Sequence, residues 1–385
     1  MTAQAEVIQL TRELVQIPSE NPTGSEEAVG NYVFHWLQRL GVEVKKEEVA
    51  PGRFNVVARL AGVKEHPRLV YTGHLDTVPA GEGWTKDPFA GEMEQGKLYG
   101  RGSADMKGGL AAALVAFKRI CLGREKPRHS FIFLACVDEE GPFMQGALAA
   151  VEKGWVTDED FLLAAEPSGL AVVAAHKGPL WFEISTQGKM AHGGKPHLGV
   201  DAIHAMAEII SSLKRSVAEL PYEDPLLGKA TLNVGRISGG VKVNMVPDSC
   251  RAEADLRLTV PMTVTQACHL VEKVIAQGTG KVPGSRGSYR VLGVERPPLR
   301  IPQDSPLLAA VTKGVKKITG REAELAGFPA YTDGAIMAAR TGTPHCLTFG
   351  PGYLAQAHAP DEYVPVEHLM LASDILTETA QEILF

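Results

Sequence analysis

Five short stretches of the 385-residue chain carry side chains that can bind a metal ion or move a proton. Gly73-His74-Leu75-Asp76-Thr77 sets an imidazole two residues from a carboxylate. An imidazole can ligate through one nitrogen while a carboxylate holds the N–H of the other, and Asp76 is near enough to do so. The glycine-rich turn Gly100-Arg101-Gly102-Ser103-Ala104-Asp105-Met106-Lys107-Gly108-Gly109 fits neither the phosphate loop nor the dinucleotide fingerprint. Asp105 there is either a helix N-cap or a carboxylate whose two oxygens bridge two metals. In Asp138-Glu139-Glu140, neighbours in extended chain point opposite ways. One glutamate can therefore ligate while the other stays free as a general base, the division of labour that metal-assisted hydrolysis needs. Glu166-Pro167 and Gln356-Ala357-His358-Ala359-Pro360-Asp361-Glu362 complete the set. Taken singly, each has an ordinary explanation: a strand-end histidine, a cap, a solvated acidic turn.

Their placement on the predicted elements changes that. Residues 68–73, 131–137 and 161–165 are short continuous apolar runs, the pattern of parallel strands covered on both faces. Helical spacing links Val29, Val33, Trp36, Leu37 and Leu40 over 25–40, and Leu110, Leu114, Phe117 and Cys121 after the glycine-rich turn. The expectation is an α/β core of three layers with a mostly parallel sheet. His74, Glu139/Glu140, Glu166 and His358 each follow an apolar strand, and in a parallel sheet those ends share one edge. Asp105 opens a helix toward the same crevice. Two imidazoles and four carboxylates gathered there would repel without cations. Imidazole with carboxylate favours zinc, and these ligand types also accept cobalt or manganese.

Past Lys177-Gly178-Pro179 the pattern becomes β-α-β-β-α-β: strands at 180–186, 230–237, 249–259 and 288–294, helices at 201–216 and 263–277. Ile203, Met206, Ile210 and Leu213 mark the apolar face of the first helix. This order is that of a ferredoxin-like α+β unit. After Arg296-Pro297-Pro298 helix and strand alternate again. The expected organisation is a first domain of residues 1–178 and 295–385 with a smaller one, 179–294, inserted.

Composition narrows the function classes. With 44% hydrophobic and 22% charged residues the chain is globular rather than disordered or fibrous. A net charge of −6 without a basic stripe argues against nucleic acid. The longest apolar run, Leu110 to Phe117, is too short to span a bilayer. The N-terminal stretch carries Glu6, Arg12 and Glu13, unlike a signal peptide, so a cytoplasmic address is expected. Five scattered cysteines without a Cys-x-x-Cys pair read as free thiols, leaving metal ligation to other side chains.

Taken in this order, GHLDT, GRGSADMKGG, DEEG and QAHAPDEY resemble the zinc-dependent amidohydrolases that include carboxypeptidase G, aminoacylase, acetylornithine deacetylase and succinyl-diaminopimelate desuccinylase. The resemblance spans nearly the whole chain. It implies two zinc ions bridged by Asp105, one held by His74 and Glu166, the other by Glu140 and His358. Glu139 would be the general base and Asp76 the orienter of His74. The inserted domain would be a lid and dimerisation domain in a homodimer, with His192 stabilising the oxyanion across subunits. Asn244, Arg257, Arg296 and Thr332 would contact substrate, although Gly-Phe-Pro-Ala-Tyr departs from the glycine-rich lead usual before Thr332. The implied reaction is hydrolysis of an N-acyl amino acid, as in amino-acid biosynthesis. The DEEG spacing resembles the desuccinylase, AHAPDEYV the acetylornithine deacetylase, and Glu166 in place of Asp the deacylase and carboxypeptidase branch. The alternatives are a metallocarboxypeptidase or dipeptidase on the same site and a non-catalytic binding protein on the same fold.

Overall fold

A computed structural model describes residues 2–22 and 26–385. The chain divides into two compact units. The first comprises the residues up to Ala175, then Arg300–Phe328 and Thr332–Phe385; the second comprises His176–Leu299 and Pro329–Tyr331. The inserted stretch thus runs a few residues beyond 179–294 at each end. It also takes in three residues of the returning chain, where Arg257 Nη1 donates to the Pro329 carbonyl at 3.1 Å.

The first unit is built on a nine-stranded sheet. Its centre is parallel: Lys64–His74 lies between His129–Cys136 and Phe161–Ala164, and Cys346–Thr348 follows beside Phe161–Ala164. The flanks are antiparallel, through the hairpin Glu43–Ala50/Arg53–Leu60 on one side and Val172–His176 on the other. The mostly parallel sheet is therefore found in the four strands whose ends matter. The two-residue connection between 50 and 53 forces the antiparallel hairpin, whereas the parallel strands need longer crossovers. Leu69–His74 and Phe131–Val137 are buried throughout, as strands covered on both faces must be.

One face is covered by helices Ala3–Val15, Gly108–Cys121, Pro306–Thr319 and Val366–Leu384, which pack on one another. The other face carries Glu26–Gln38, Gln145–Glu152 and Asp333–Thr341. Glu26–Gln38 is the helix expected over 25–40, position 25 lying outside the described residues. Gly109 shows how closely a helix approaches the sheet: a Cβ there would stand 1.7 Å from the Ala165 carbonyl oxygen. Only glycine lets the start of Gly108–Cys121 press against the strand end that carries Glu166.

The second unit is built on a four-stranded antiparallel sheet in the order Thr231–Gly239, Ser249–Leu258, Gly178–Gln187, Arg286–Leu292. Helices Ala202–Ala218 and Val264–Gly280 pack together against it, as a ferredoxin-like unit requires. Strand Ser249–Leu258 alternates strictly, its inward residues joining Met206, Ile209, Leu213, Val271 and Val274 in one core. The apolar stripe of Ala202–Ala218 is displaced from its expected line. Ile203 is exposed and Ile210 only partly buried, while Ala202, Met206, Ile209, Leu213 and Val217 form the seam. At 3.6 residues per turn, Ile203 and Ile210 fall roughly a quarter-turn off that seam. Among the described residues, no helix is long and apolar enough to cross a membrane.

Candidate metal centre

Four site segments leave the carboxyl ends of the four central parallel strands, the edge at which open α/β sheets gather their ligands. His74 ends its strand, Asp138–Glu140 follow Cys136, Glu166 follows Ala164, and the loop after Thr348 returns with His358. Asp105 reaches the same edge from the irregular turn Ser103–Lys107, just ahead of helix Gly108–Cys121. The structure brings these six side chains into overlapping triads whose ligand-type atoms lie within 4.8 Å of one another. The inner triad is His74, Asp105 and Glu166, all buried. The outer triad is Asp105, Glu140 and His358, and it opens to solvent at His358, whose side chain is 52% exposed. Glu139 groups with His74 and Glu140 where the two meet.

Asp105 belongs to both triads. Its Oδ1 lies 3.2 Å from His74 Nε2 and its Oδ2 lies 3.4 Å from His358 Nε2. His358 Nε2 also lies 3.1 Å from Glu140 Oε1, and His74 Nε2 3.8 Å from Glu166 Oε2. Electrostatics reflect this crowding. Burial pushes Glu139 and Glu166 well above the usual carboxylate range, with His74 the chief opposing influence. Burial also raises Glu140, against the pull of His358. Burial would lower His74, yet Glu166, Asp105 and Glu139 carry it well above an ordinary imidazole. Hydrogen bonds to Asp105 and Glu140 push His358 up to about 10. Asp105 stays low despite its burial, because both imidazoles donate to it. Four carboxylates in a poorly solvated site, balanced only by protons and two imidazoles, form the donor set that divalent cations would satisfy.

Asp76 departs from expectation. The His74 Nδ1–H is accepted by the Asp76 backbone carbonyl at 2.8 Å, while the nearest carboxylate oxygen stands 3.7 Å away. Two residues of chain curl the backbone oxygen under the ring and turn the side chain elsewhere. The carboxylate accepts the backbone N–H of Glu139 at 3.2 Å, that of Glu140 at 3.1 Å, and Asn21 Nδ2 at 2.8 Å. Asp138, at φ 66°, is held from the other side by Arg53, Asn21 and the Gln145 amide. A left-handed backbone at a non-glycine residue persists only where its surroundings enforce it.

The remaining residues fall elsewhere. Thr332 is fully buried, and its hydroxyl caps helix Asp333–Thr341 by accepting the Ala335 N–H at 3.1 Å. Burial drives the carboxyl of Asp333, beside it, up to about 7. His192, Asn244, Arg257 and Arg296 lie in the second unit. His192 and Asn244 are neighbours on a two-stranded patch, where His192 pairs with Met245 and Gly193 N–H donates to the Asn244 carbonyl. Arg257 donates to Asp255 through Nε and Nη2, so its charge is already paired. Arg296 is buried, with its guanidinium 4.8 Å from the centre of the Trp181 ring.

The sequence model of peptidase family M20/M25/M40 matches residues 70–382. An acetylornithine deacetylase of Proteus mirabilis is 33% identical over 369 residues, covering 93% of this chain and 91% of its own. A probable succinyl-diaminopimelate desuccinylase of Staphylococcus aureus is 27% identical over 406 residues, covering 98% and 97%. Among solved structures, a tripeptidase from Staphylococcus aureus superposes with a TM-score of 0.80 at 26% identity, covering 99% of this chain and 98% of that one.

Proposed function

This chain belongs to peptidase family M20/M25/M40, and on that footing we propose that it hydrolyses the amide bond of N-acyl amino acids with two divalent cations. The observation that carries the reading is Asp105, one carboxylate oxygen directed at each of two imidazoles, with Glu166 and Glu140 completing the triads. His74, Asp105 and Glu166 would hold one cation and Asp105, Glu140 and His358 the other; zinc suits these donors, and cobalt or manganese could replace it. Cations held there supply positive charge that acidifies a water and polarises the scissile carbonyl.

Glu139 is the group left to move a proton. Its raised affinity for protons suits a base that takes one from the attacking water and returns it to the leaving nitrogen. Asp76 aims Glu139 by gripping the amides of residues 139 and 140. His192 has the chemistry of an oxyanion donor. Its Nδ1 accepts the Gly194 N–H at 3.0 Å, so the neutral ring carries its proton on Nε2, free to donate. Such a donor is typically worth ~3 kcal/mol in the transition state. Asn244 beside it suits substrate contact. We assign the second unit as lid and dimerisation domain, His192 serving the partner's site. Near-complete exposure of Val241 and Val243, close to the exposed Ile203, supports self-association. A cytoplasmic address accords with five unpaired thiols.

The deacetylase and desuccinylase relatives favour an acetylated or succinylated amino acid as substrate and a place in amino-acid biosynthesis. The fold shared with a tripeptidase supports a second reading, a short peptide as substrate. Amine release from N-acetyl, N-succinyl and N-formyl amino acids and from di- and tripeptides, with zinc-loaded enzyme and Glu139→Ala as control, separates the two. Release from an N-acyl amino acid that the control lacks is the expected result. Turnover of peptides alone would replace the first reading with the second, and silence throughout would leave a binding protein on this fold.

A further inference from the structure

The glycine-rich turn that fits no nucleotide motif still binds an anion, one supplied by the chain itself. Gly102 takes a left-handed φ of 82°, and the N–H groups of Gly102, Ala104 and Asp105 converge on one point. Backbone amides gathered around such a residue form an anion-binding concavity. Its occupant is the fully buried Glu362 carboxylate, which accepts the N–H of Gly102 at 3.1 Å, Ala104 at 2.9 Å and Asp105 at 3.0 Å. Arg101, also buried, donates Nη1 to the same carboxylate and Nη2 to the Ala80 carbonyl at 3.2 Å.

Glu362 lies four residues beyond His358. His358 itself sits at φ 63°, a conformation a histidine holds only under constraint. Several contacts just downstream hold the loop. Asp361 accepts the Thr85 N–H at 2.9 Å and the Thr85 hydroxyl at 2.8 Å. Gly100 N–H donates to the Glu362 carbonyl at 2.9 Å, and Tyr363–Pro365 pairs antiparallel with Lys97–Tyr99. Each contact ties the His358 loop to its surroundings, but among the described residues only the Glu362 side chain reaches the amide of Asp105 itself. We propose that Glu362 is a positioning residue for the outer metal pocket: its carboxylate fills the amide nest of the Asp105 turn and so sets the spacing between Asp105 and His358, two ligands on separate loops. The inference rests on the two-cation reading of the site.

Zinc titration of metal-stripped, full-length protein by calorimetry tests it, with cobalt absorption as a second readout independent of turnover. Glu362→Gln preserves size but sets an NH2 group against inward-pointing amides and leaves Arg101 unpaired. The wild type should bind two ions. Glu362→Gln should weaken the site containing His358 roughly 10- to 100-fold, the cost typical of losing a ligand's supporting partner, and the inner site, which shares Asp105 but otherwise hangs on strand ends, by a smaller factor. A variant that binds both ions like the wild type overturns the inference and leaves the two-cation reading standing. Equal weakening of both sites, together with a lower melting temperature of the metal-free protein, would mean a general structural role and overturn it too. A wild type that binds fewer than two ions removes the reading and the inference together. Should Glu362→Gln fail to fold, Arg101→Lys, which keeps the charge and loses the planar fork, should weaken the same site by a smaller factor. Unchanged binding in that variant would equally overturn the inference.

Discussion

The inner and outer triads share Asp105 yet are built by different means. The inner one hangs on strand ends: His74 is the last residue of its strand and Glu166 follows Phe161–Ala164 by two, so the sheet itself sets their separation. The outer one hangs on turns and loops, with Glu140 after a left-handed Asp138 and His358 on a half-exposed loop pinned by Asp361 and Glu362. A strand end inherits its precision from backbone hydrogen bonding. A loop ligand needs dedicated side chains to hold it, and the structure provides them around the outer triad in particular.

The sharpest challenge to this division is Glu139, which groups with His74 and Glu140 and could be a third ligand rather than a base. Glu139→Gln should lower kcat by roughly 10²- to 10⁴-fold, as loss of general base catalysis does, while both ions stay bound. Loss of an ion in that variant would redraw the two pockets.

Removal of one imidazole from each pocket should separate them by stability. In the metal-free protein His74 balances buried Glu166 and Asp105, and breaking a buried pair of this kind costs on the order of 3 kcal/mol. His358 is half-exposed, so His358→Ala should cost less than about 1 kcal/mol. Urea unfolding of the two stripped variants reads the difference, and equal costs would refute the inner/outer contrast.

Proton release should mark the outer pocket more gently. With His358 pushed up to about 10, its ring is protonated at neutral pH in the metal-free site. Ligation needs the neutral ring, so uptake there releases a proton, and affinity rises about tenfold per pH unit between pH 6.5 and 8. Calorimetry in buffers of different ionisation heat, with the inner pocket already filled, measures the release. An affinity flat with pH would mean that Asp105 and Glu140 do not hold His358 protonated.

How much of this was legible in the sequence follows the same divide. The strands ahead of His74, Asp138 and Glu166 announce themselves as continuous apolar runs, and a residue just past such a run has few places to go. The β-α-β-β-α-β order likewise survives in the sequence because strands and helices differ in period. Loop-borne contacts left weaker traces. Asp361-Glu362 reads as a solvated acidic pair, and nothing local says that Glu362 turns inward onto amides some 260 positions away in sequence. Thr332 looked like part of a substrate loop, but the choice between cap and contact depends on whether a helix begins at Asp333. Arg296 before two prolines gave no hint of Trp181, which lies far from it in sequence. Backbone hydrogen bonds were the least visible of all, since the spacing of His74 and Asp76 is compatible with either oxygen of Asp76 meeting the ring.

That last ambiguity gives the smallest and most discriminating prediction. If the Asp76 carboxylate held His74, Asp76→Asn would disturb the inner pocket and weaken its ion. With the backbone carbonyl at 2.8 Å from Nδ1, the substitution leaves that contact in place. What it removes is negative charge from the acceptor of two amides and Asn21, so the Glu139–Glu140 turn loosens instead. One charge-assisted acceptor of this kind is worth ~1–2 kcal/mol, about a tenfold fall in kcat. Metal titration of Asp76→Asn should show the inner site unchanged and any weakening confined to the site containing Glu140. An inner site weakened tenfold with kcat otherwise preserved would return the carboxylate to His74 and make the inner pocket, too, dependent on a side-chain brace.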